Sequence, residues 1–388
     1  MILDVILGFL AGASLLLLLW QWWAGGRFPL HQQVAAHAFP PAVTLLKPLK
    51  GCEPDTEGCL RSWFAQYYTG RVQMLFGVAS ADDPVGDVVR KLQKEFPNAD
   101  AQLVICGPLR GANAKVSKLI ELERLARHEL LIISDADVRV PPDLLADVGE
   151  RLRANTAIGL VNCFYHLANP RTLAMRWEAV AVNADFWSSV LQSQTLRPID
   201  FALGAVMATG RKQLQEIGGF AALADCLADD YQLGHRLAQR GYRIILSNIV
   251  VECWSAPMNW KAVWKHQLRW ARTIRVSQST PYFFSILTNA TLWPLLWLAV
   301  NPGPIVLGFS LGCWLTRIGA GLDLQARITR RRDHLVYWWL IPIKDLLQCV
   351  IWLLAFTGHH IEWRGERMLL RRDGTLVRIN RGRSSNAS

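Results

Sequence analysis

No pair of the eight cysteines makes a C-x-x-C, and no Cys/His cluster has the spacing of a zinc site. Cys52 and Cys59, the nearest pair, read as two free thiols in a reducing compartment, a reading favoured over a disulfide. The chain is short of charge as well. Only 19% of its 388 residues are Asp, Glu, Lys or Arg against 51% hydrophobic ones, and its 17 tryptophans favour a headgroup layer, which points to membrane attachment. Lys and Arg are missing ahead of the first apolar run, residues 6–20, where Asp4 stands instead. No A-x-A cleavage site follows Trp22-Trp23, which argues against a cleaved leader and for a retained anchor. The following Arg27, Lys47 and Lys50 place the next domain in the cytoplasm by the positive-inside rule.

The formal charge is +11, yet it forms no nucleic-acid stripe. Arg364, Arg367, Arg371, Arg372, Arg378, Arg381 and Arg383 crowd the last 25 residues, and Arg330-Arg331-Arg332 form another run. Both runs lie beside apolar segments and are expected to meet headgroups, so a bilayer is the partner and nucleic acid is not. The length exceeds one ordinary core and suggests a soluble domain of roughly 200 to 250 residues with extra elements.

Beyond a Pro-containing linker, short apolar strands are expected at residues 42–46, 72–79, 102–105 and 130–133. Helical patterns separate them at 60–66, 85–96 and 117–127. This alternation predicts an α/β domain with a parallel sheet whose ligands sit at the carboxyl ends of the strands. Polar clusters fall at those ends. Lys47-Pro48-Leu49-Lys50-Gly51 follows the first strand, Asp82-Asp83 the second and Asp135-Ala136-Asp137 the fourth.

Two carboxylates one residue apart at the end of a buried strand can share Mg²⁺ or Mn²⁺ and bridge it to the phosphates of a nucleotide diphosphate. Asp82-Asp83-Pro84 suits both a helix cap and a nucleotide-base contact. Lys115 and Lys118, in the run from Asn113 to Lys118, bring two cations to a helix start where an anion can bind, or else form a solvated basic turn. Asp229-Asp230 opens another helix. Deprotonating an alcohol nucleophile needs a carboxylate near the anomeric carbon; Asp230 is the candidate base, with Asp229 second.

Residues 260–275 carry apolar side chains at helical spacing with Lys261, Lys265, Arg269, Arg272 and Arg275 around them, as in a helix lying in a membrane interface or packed on a domain surface. Within it, Gln267 and Arg269 suit diphosphate oxygens, and Trp270 can close a wall over a sugar or acceptor. Asn183, Asp185, Trp187 and Ser188 read equally as acceptor pocket or structural helix face. His166, His235 and His266 lack partner spacing and read as ordinary polar residues.

In this order, the clusters Lys47 to Gly51, Asp82-Asp83-Pro84, Asn113 to Lys118, Ser134 to Val140 (SDADVRV), Ala228 to Tyr231 and Gln267-Leu268-Arg269-Trp270 resemble the successive motifs of ceramide glucosyltransferase-type, family 2-like glycosyltransferases with the GT-A fold. Trp363-Arg364-Gly365 is similar to that family's tail, and bacterial hopanoid glycosyltransferases look similar too. The third acidic motif reads Asp-Asp where many relatives have Glu-Asp. The resemblance implies an inverting, single-displacement transfer from a UDP-sugar to a membrane lipid hydroxyl. By it, Asp82 or Asp83 contacts the nucleotide, Asp135 and Asp137 hold the metal and diphosphate, Asp230 is the base, and Gln267, Arg269 and Trp270 close the donor site.

The expected organisation is an anchor at 1–24, a linker at 25–41, a cytoplasmic GT-A domain at 42–254, an interfacial helix at 255–280, membrane helices at 281–357 and a basic tail at 358–388. Residues 282–300 and 305–320 read as a hairpin turning at Asn301 to Pro304. Lys344-Asp345 interrupts a third apolar stretch, 335–356, which reads as re-entrant or interfacial. Two other readings stay open. A processive polysaccharide synthase uses the same carboxylate logic but needs more helices for a channel, and a non-catalytic module need not keep every carboxylate.

Overall fold

The computed structural model describes residues 1–32, 40–358, 360–363, 366–371 and 374–378. Arg364, Arg372, Arg381, Arg383, Gly365 and part of the expected linker lie outside the described residues. Eight strands form one sheet: β1 (Val43–Pro48), β2 (Val72–Val78), β3 (Asp100–Ile105), β4 (Leu130–Ser134), β5 (Val138–Arg139), β6 (Ile158–Leu167), β7 (Val206–Gly210) and β8 (Arg243–Cys253). Their order is β3-β2-β1-β4-β7-β6-β8-β5. The first four pair in parallel; β7 enters antiparallel between β4 and β6, and β6 pairs β8 in parallel. The expected mostly parallel sheet with helices on its faces is what the chain forms.

The central strand explains itself. All six residues of β1 are buried, as a strand covered on both faces requires. Its register with β4 pairs Leu45 with Ile132 and Leu46 with Ile133. Alternation then sends Leu46, Leu131 and Ile133 into one core layer and Leu45 and Ile132 into the other, where Trp63 of the helix Thr56–Phe64 packs with them. Each fully buried aliphatic side chain contributes about 2 kcal/mol to this packing. The result is a rigid sheet whose strand ends can hold polar loops in place.

Among the described residues two helices are long and apolar enough to cross a membrane, Ile2–Arg27 and Pro304–Thr329; a bent pair, Ser279–Thr288 and Leu292–Val300, makes a third if it is one span. The pair bends by 53°, so the first arm of the expected hairpin is not one straight helix. The third apolar stretch forms a 3₁₀ turn, Asp333–Tyr337, and then an α-helix over Leu340–Phe356. Its interrupting charges are buried and paired. Arg317, from the middle of Pro304–Thr329, makes two 2.8 Å bonds to Asp345 and reaches Asp185 at 2.9 Å. Lys344 joins Asp185 and lies 3.5 Å from Asp345, and Thr291 donates to Asp345 at 2.6 Å.

Asp185 sits in a π-helical turn, Ala181–Phe186, between the helices Leu173–Val180 and Trp187–Gln194. Asn183 clasps both backbone groups of Leu167, Trp187 is fully buried, and Ser188 accepts from Gln21 of the first helix. These four residues are therefore a structural seam between sheet and membrane helices. Past Phe356 the chain forms a small antiparallel sheet of β9 (His360–Trp363), β10 (Glu366–Leu370) and β11 (Leu376–Arg378). It docks on the loop before Asp229: Leu376 N–H donates to Asp225 at 2.8 Å, and Leu370 and Leu376 pack on Ala112 and Leu227.

Candidate active site

The carboxyl ends of β1, β2 and β4 carry the polar loops, and the structure divides their residues into those open to the cleft and those that hold the loops still. Lys47 belongs to the second kind. It is fully buried, its ammonium bonded to the Asp135 carbonyl at 2.5 Å and to Ser134 Oγ at 3.1 Å, above the Trp63 ring at 5.3 Å. Burial, only partly offset by Cys59, Asp137 and Asp135, lowers its pKa to about 8. It pins the acidic loop from beneath. Asp83 is likewise engaged. It accepts from the backbone N–H of Gly51 at 3.0 Å and of Val85 at 3.2 Å, tying the first loop to a helix start. Gly51 needs its positive φ of 70° for that approach. Asp82 is exposed beside it.

Asn113 caps the Ala114–Leu125 helix, accepting from Lys115 N and Val116 N, while its amide donates to Cys226 O and to Asp229 Oδ1 at 3.3 Å. That cap aims Lys115 into the centre of the site. Its ammonium lies 2.7 Å from Asp135 Oδ1 and 3.0 Å from Asp229 Oδ2, joining two motifs that are far apart in sequence. Burial works against its charge, but the carboxylates of Asp135, Asp229 and Asp230 outweigh it and hold its pKa above the ordinary lysine value. Lys118, one turn on, is buried, and its charge is felt by the Cys106 thiol at the end of β3.

Asp137 opens to solvent but is hemmed in by protein. Loss of surrounding water, with Asp135 alongside, raises its pKa to about 6. A carboxylate that resists ionising beside a second one suits a divalent cation, which removes the repulsion. Hard oxygen donors suit Mg²⁺ or Mn²⁺, with phosphate and water completing the shell. Among the described residues no group of three or more His, Cys, Asp or Glu side chains forms a closed metal site.

At the start of the Asp229–Gln239 helix the two carboxylates differ. Asp229 is buried and committed to Asn113 and Lys115. Asp230 accepts only from the Tyr231 N–H, at 2.8 Å, among the described residues. Burial first, then the Asp229 charge, raises its pKa to about 6. The backbone approaches it closely at Gly204, where a Cβ would fall 2.6 Å from Asp230 Oδ2. A carboxylate with one oxygen unassigned and a raised pKa can take a proton from an alcohol at neutral pH.

The expected helix at 255–280 forms over Trp260–Ser277. Gln267 is 5% exposed and donates to Glu178 Oε1 at 2.8 Å, on the side of the helix that packs into the protein. Arg269 is half-buried on the same helix. Trp270 packs in an aromatic nest with His266 at 5.0 Å, Phe186 at 6.0 Å and Tyr165 at 6.5 Å. His266 is not an isolated polar residue, because its Nδ1 lies 2.6 Å from Glu178 Oε1. Sequence reasoning missed Glu178; the one signal was a single carboxylate in the short, mostly apolar helix of residues 173–180, where Arg176 is the other charge.

The family model of Glycosyl transferase family 21 matches residues 5–376. Ceramide glucosyltransferase 3 of Caenorhabditis elegans is 26% identical over 224 residues, 57% of this chain and 48% of that protein. Ceramide glucosyltransferase of Candida albicans is 29% identical over 124 residues, 29% of this chain and 23% of that protein. The chain spans about half the length, or less, of the curated relatives it matches. Among solved structures, a mannosyltransferase from Pyrobaculum calidifontis in complex with GDP-Man and Mn²⁺ superposes with a TM-score of 0.51, covering 90% of this chain and 99% of that one. At 20% identity that likeness speaks for the fold alone.

Proposed function

Since the chain belongs to glycosyl transferase family 21, a family of sugar-transferring enzymes, we propose that it moves one sugar, glucose foremost, from a UDP-sugar to the hydroxyl of a membrane lipid such as ceramide. The observation that carries this reading is the pairing of unlike carboxylates around Lys115: Asp135 and Asp229 bridged by one ammonium, and Asp230 beside them with its pKa raised to about 6. The name shared by the relatives supports the acceptor class.

The reaction is a single displacement. Asp230 takes the proton of the lipid hydroxyl as its oxygen bonds to the anomeric carbon from the face opposite the nucleotide; the bond to the diphosphate oxygen breaks and UDP leaves with that electron pair. Mn²⁺ or Mg²⁺, held by Asp135 and Asp137, would neutralise the charge that builds on the leaving diphosphate. Lys115 and Lys118 add positive field at the same end, exposed Asp82 meets the nucleotide, and Lys47 and Asp83 keep the loops in register. Arg269 is assigned to the diphosphate and Trp270 to the acceptor wall. The catalytic domain, residues 42–254, faces the cytoplasm, and the lipid enters sideways from the bilayer past the Trp260–Ser277 helix.

Product mass spectrometry tests this on the detergent-purified protein with Mn²⁺ and a panel of UDP-sugars. Ceramide, diacylglycerol and a polyhydroxylated hopanoid are offered together. A single sugar on one lipid is expected. A long polymer would instead make the chain a processive synthase, and no transfer by protein that still binds UDP would remove the catalytic reading.

A further inference from the structure

The segment that leads into Asp229-Asp230 is held from two sides. On the inner side it meets the loop before the Lys115 helix. Asn113 N–H donates to Ala224 O at 2.8 Å, Ala112 N–H to Asp225 Oδ1 at 2.8 Å, and the Asn113 amide to Cys226 O at 2.9 Å. The two backbones run so close that a Cβ on Gly111 would fall 2.6 Å from Ala224 O. On the outer side lies β11. Its Leu376 pairs with Leu370 of β10, and the Leu376 N–H is given to Asp225 O at 2.8 Å. Leu227 N–H returns a bond to Gly374 O at 3.3 Å, and Cys226 and Thr375 form the antiparallel bridge between those two bonds. Residues 225–227 thus extend the C-terminal sheet by one short strand.

The seat of this strand is apolar. Met368, Leu370 and Leu376 are buried with Leu227 and Ala112, and Val276 of the Trp260–Ser277 helix packs on the same cluster. The turn after β10 also reaches the base helix itself, since a Cβ on Gly374 would stand 3.6 Å from Gln232 Nε2. A second brace follows the base. Tyr231 donates its hydroxyl to Ser277 O at 2.9 Å and accepts from Gln278 Nε2 at 3.0 Å. Both outer supports of Asp229-Asp230 therefore come from chain beyond residue 275. Asp135 and Asp137, assigned to the metal, have a different foundation: they follow β4, and Lys47 at the end of β1 pins their loop. The base and the donor site are two bodies whose separation the outer supports can set.

We propose, resting on the transferase reading, that the C-terminal hairpin is a positioning element for the displacement. Through Leu376 on Asp225, and Leu370 and Leu376 on Leu227, it fixes where Asp230 stands relative to a donor held at Asp135 and Asp137. The hairpin touches neither substrate. Donor binding draws on the ends of β1, β2 and β4 and survives a loosened hairpin. Proton transfer needs Asp230 within hydrogen-bond reach of the acceptor hydroxyl and does not survive it. A misplacement of about 1 Å at a reacting group costs on the order of 10²-fold in rate.

Two variants of the full-length protein test this by different routes. Leu376→Pro removes the N–H given to Asp225. Leu370→Ala trims the apolar seat and leaves that bond in place. Each should lower kcat per donor-binding site by at least about tenfold, with the Kd for UDP-sugar by calorimetry within about threefold of wild type. Leu370→Met, which refills the seat, should bring kcat back to within about threefold. A hairpin that only stabilises the fold gives the opposite split: fewer donor-binding sites per mole of protein, each turning over at the wild-type rate. That result overturns the proposal, as do an unchanged kcat in both variants and an equal loss of kcat and donor affinity, and all three leave the transferase reading standing. Wild type that binds donor but transfers no sugar to any lipid overturns both.

Discussion

Asp230→Asn separates chemistry from fold more sharply than any other change. The amide keeps an oxygen for the Tyr231 N–H and nearly the same volume beside Gly204, so the backbone has no reason to move. What is lost is the proton acceptor, and turnover should fall by about 10²- to 10⁴-fold while donor affinity stays within about threefold. A gain in stability accompanies that loss. The folded pKa of about 6 stands roughly 2 units above the ordinary 3.8. At about 1.4 kcal/mol per unit, the ionised carboxylate destabilises the metal- and donor-free protein by at most about 3 kcal/mol at neutral pH. The sign is fixed by linkage: a raised carboxyl pKa means the native state holds the proton more tightly, so the associated stability is complete below about pH 3.8 and lost as pH rises through about 6. Asn carries no such charge. Thermal unfolding with EDTA at pH 7.5 should therefore show the variant melting higher, with the gap closing as pH is lowered toward 4. The wild-type kcat/KM should drop with a limiting tenfold slope per unit below about pH 6, because the base is then protonated. Turnover of the variant within threefold of wild type would refute the assignment of the base. A variant no more stable than wild type at pH 7.5 would refute the buried-charge argument.

Gly204→Ala puts a methyl carbon 2.6 Å from Asp230 Oδ2 and should cut kcat at least tenfold with donor affinity retained, read from steady-state kinetics and calorimetry. Lys115→Met leaves Asp135, Asp229 and Asp230 without their shared cation; the acid limb of the pH–rate profile should move upward, because a positive neighbour that favoured the ionised base is gone. Removing divalent metal with a chelator should abolish transfer, and Mn²⁺ or Mg²⁺ should restore it in wild type but not in Asp137→Asn. Arg317→Met strands Asp185 and Asp345 with Lys344 alone and should destabilise the detergent-solubilised protein by about 3–5 kcal/mol, checked by thermal unfolding.

The first half of the sheet was legible because each of its strands is a short apolar run ending in a polar cluster. Expected strands at 42–46 and 130–133 became Val43–Pro48 and Leu130–Ser134. The second half was not, because β7 enters antiparallel between β4 and β6, two strands that both come earlier in sequence, and no local pattern records that order. At the candidate site, the sequence placed carboxylates at strand ends, but it could not say which member of a pair is free. Asp83 and Asp229 are spent on backbone and Lys115, and their neighbours Asp82 and Asp230 are open. Lys47 and Gln267 carried the right chemistry in the right motifs yet face inward, since a residue number does not reveal which way a strand end or helix face turns. Glu178 and His266 lie on separate helices, and only their packing makes them a pair.

The charge cluster around Arg317 also constrains how the protein can be made. Arg317 lies 13 residues into a 26-residue apolar helix, about 20 Å along its axis. An unpaired guanidinium there is costly in hydrocarbon. Its partners are Asp345, which leaves the ribosome after it, and Asp185, synthesised well before it as part of the globular domain. The helix therefore cannot reach its final setting until the domain has folded far enough to present the π-helical turn. If that helix spans the bilayer, insertion and folding become one event, and a chain whose globular part fails keeps unpaired charges exposed to lipid.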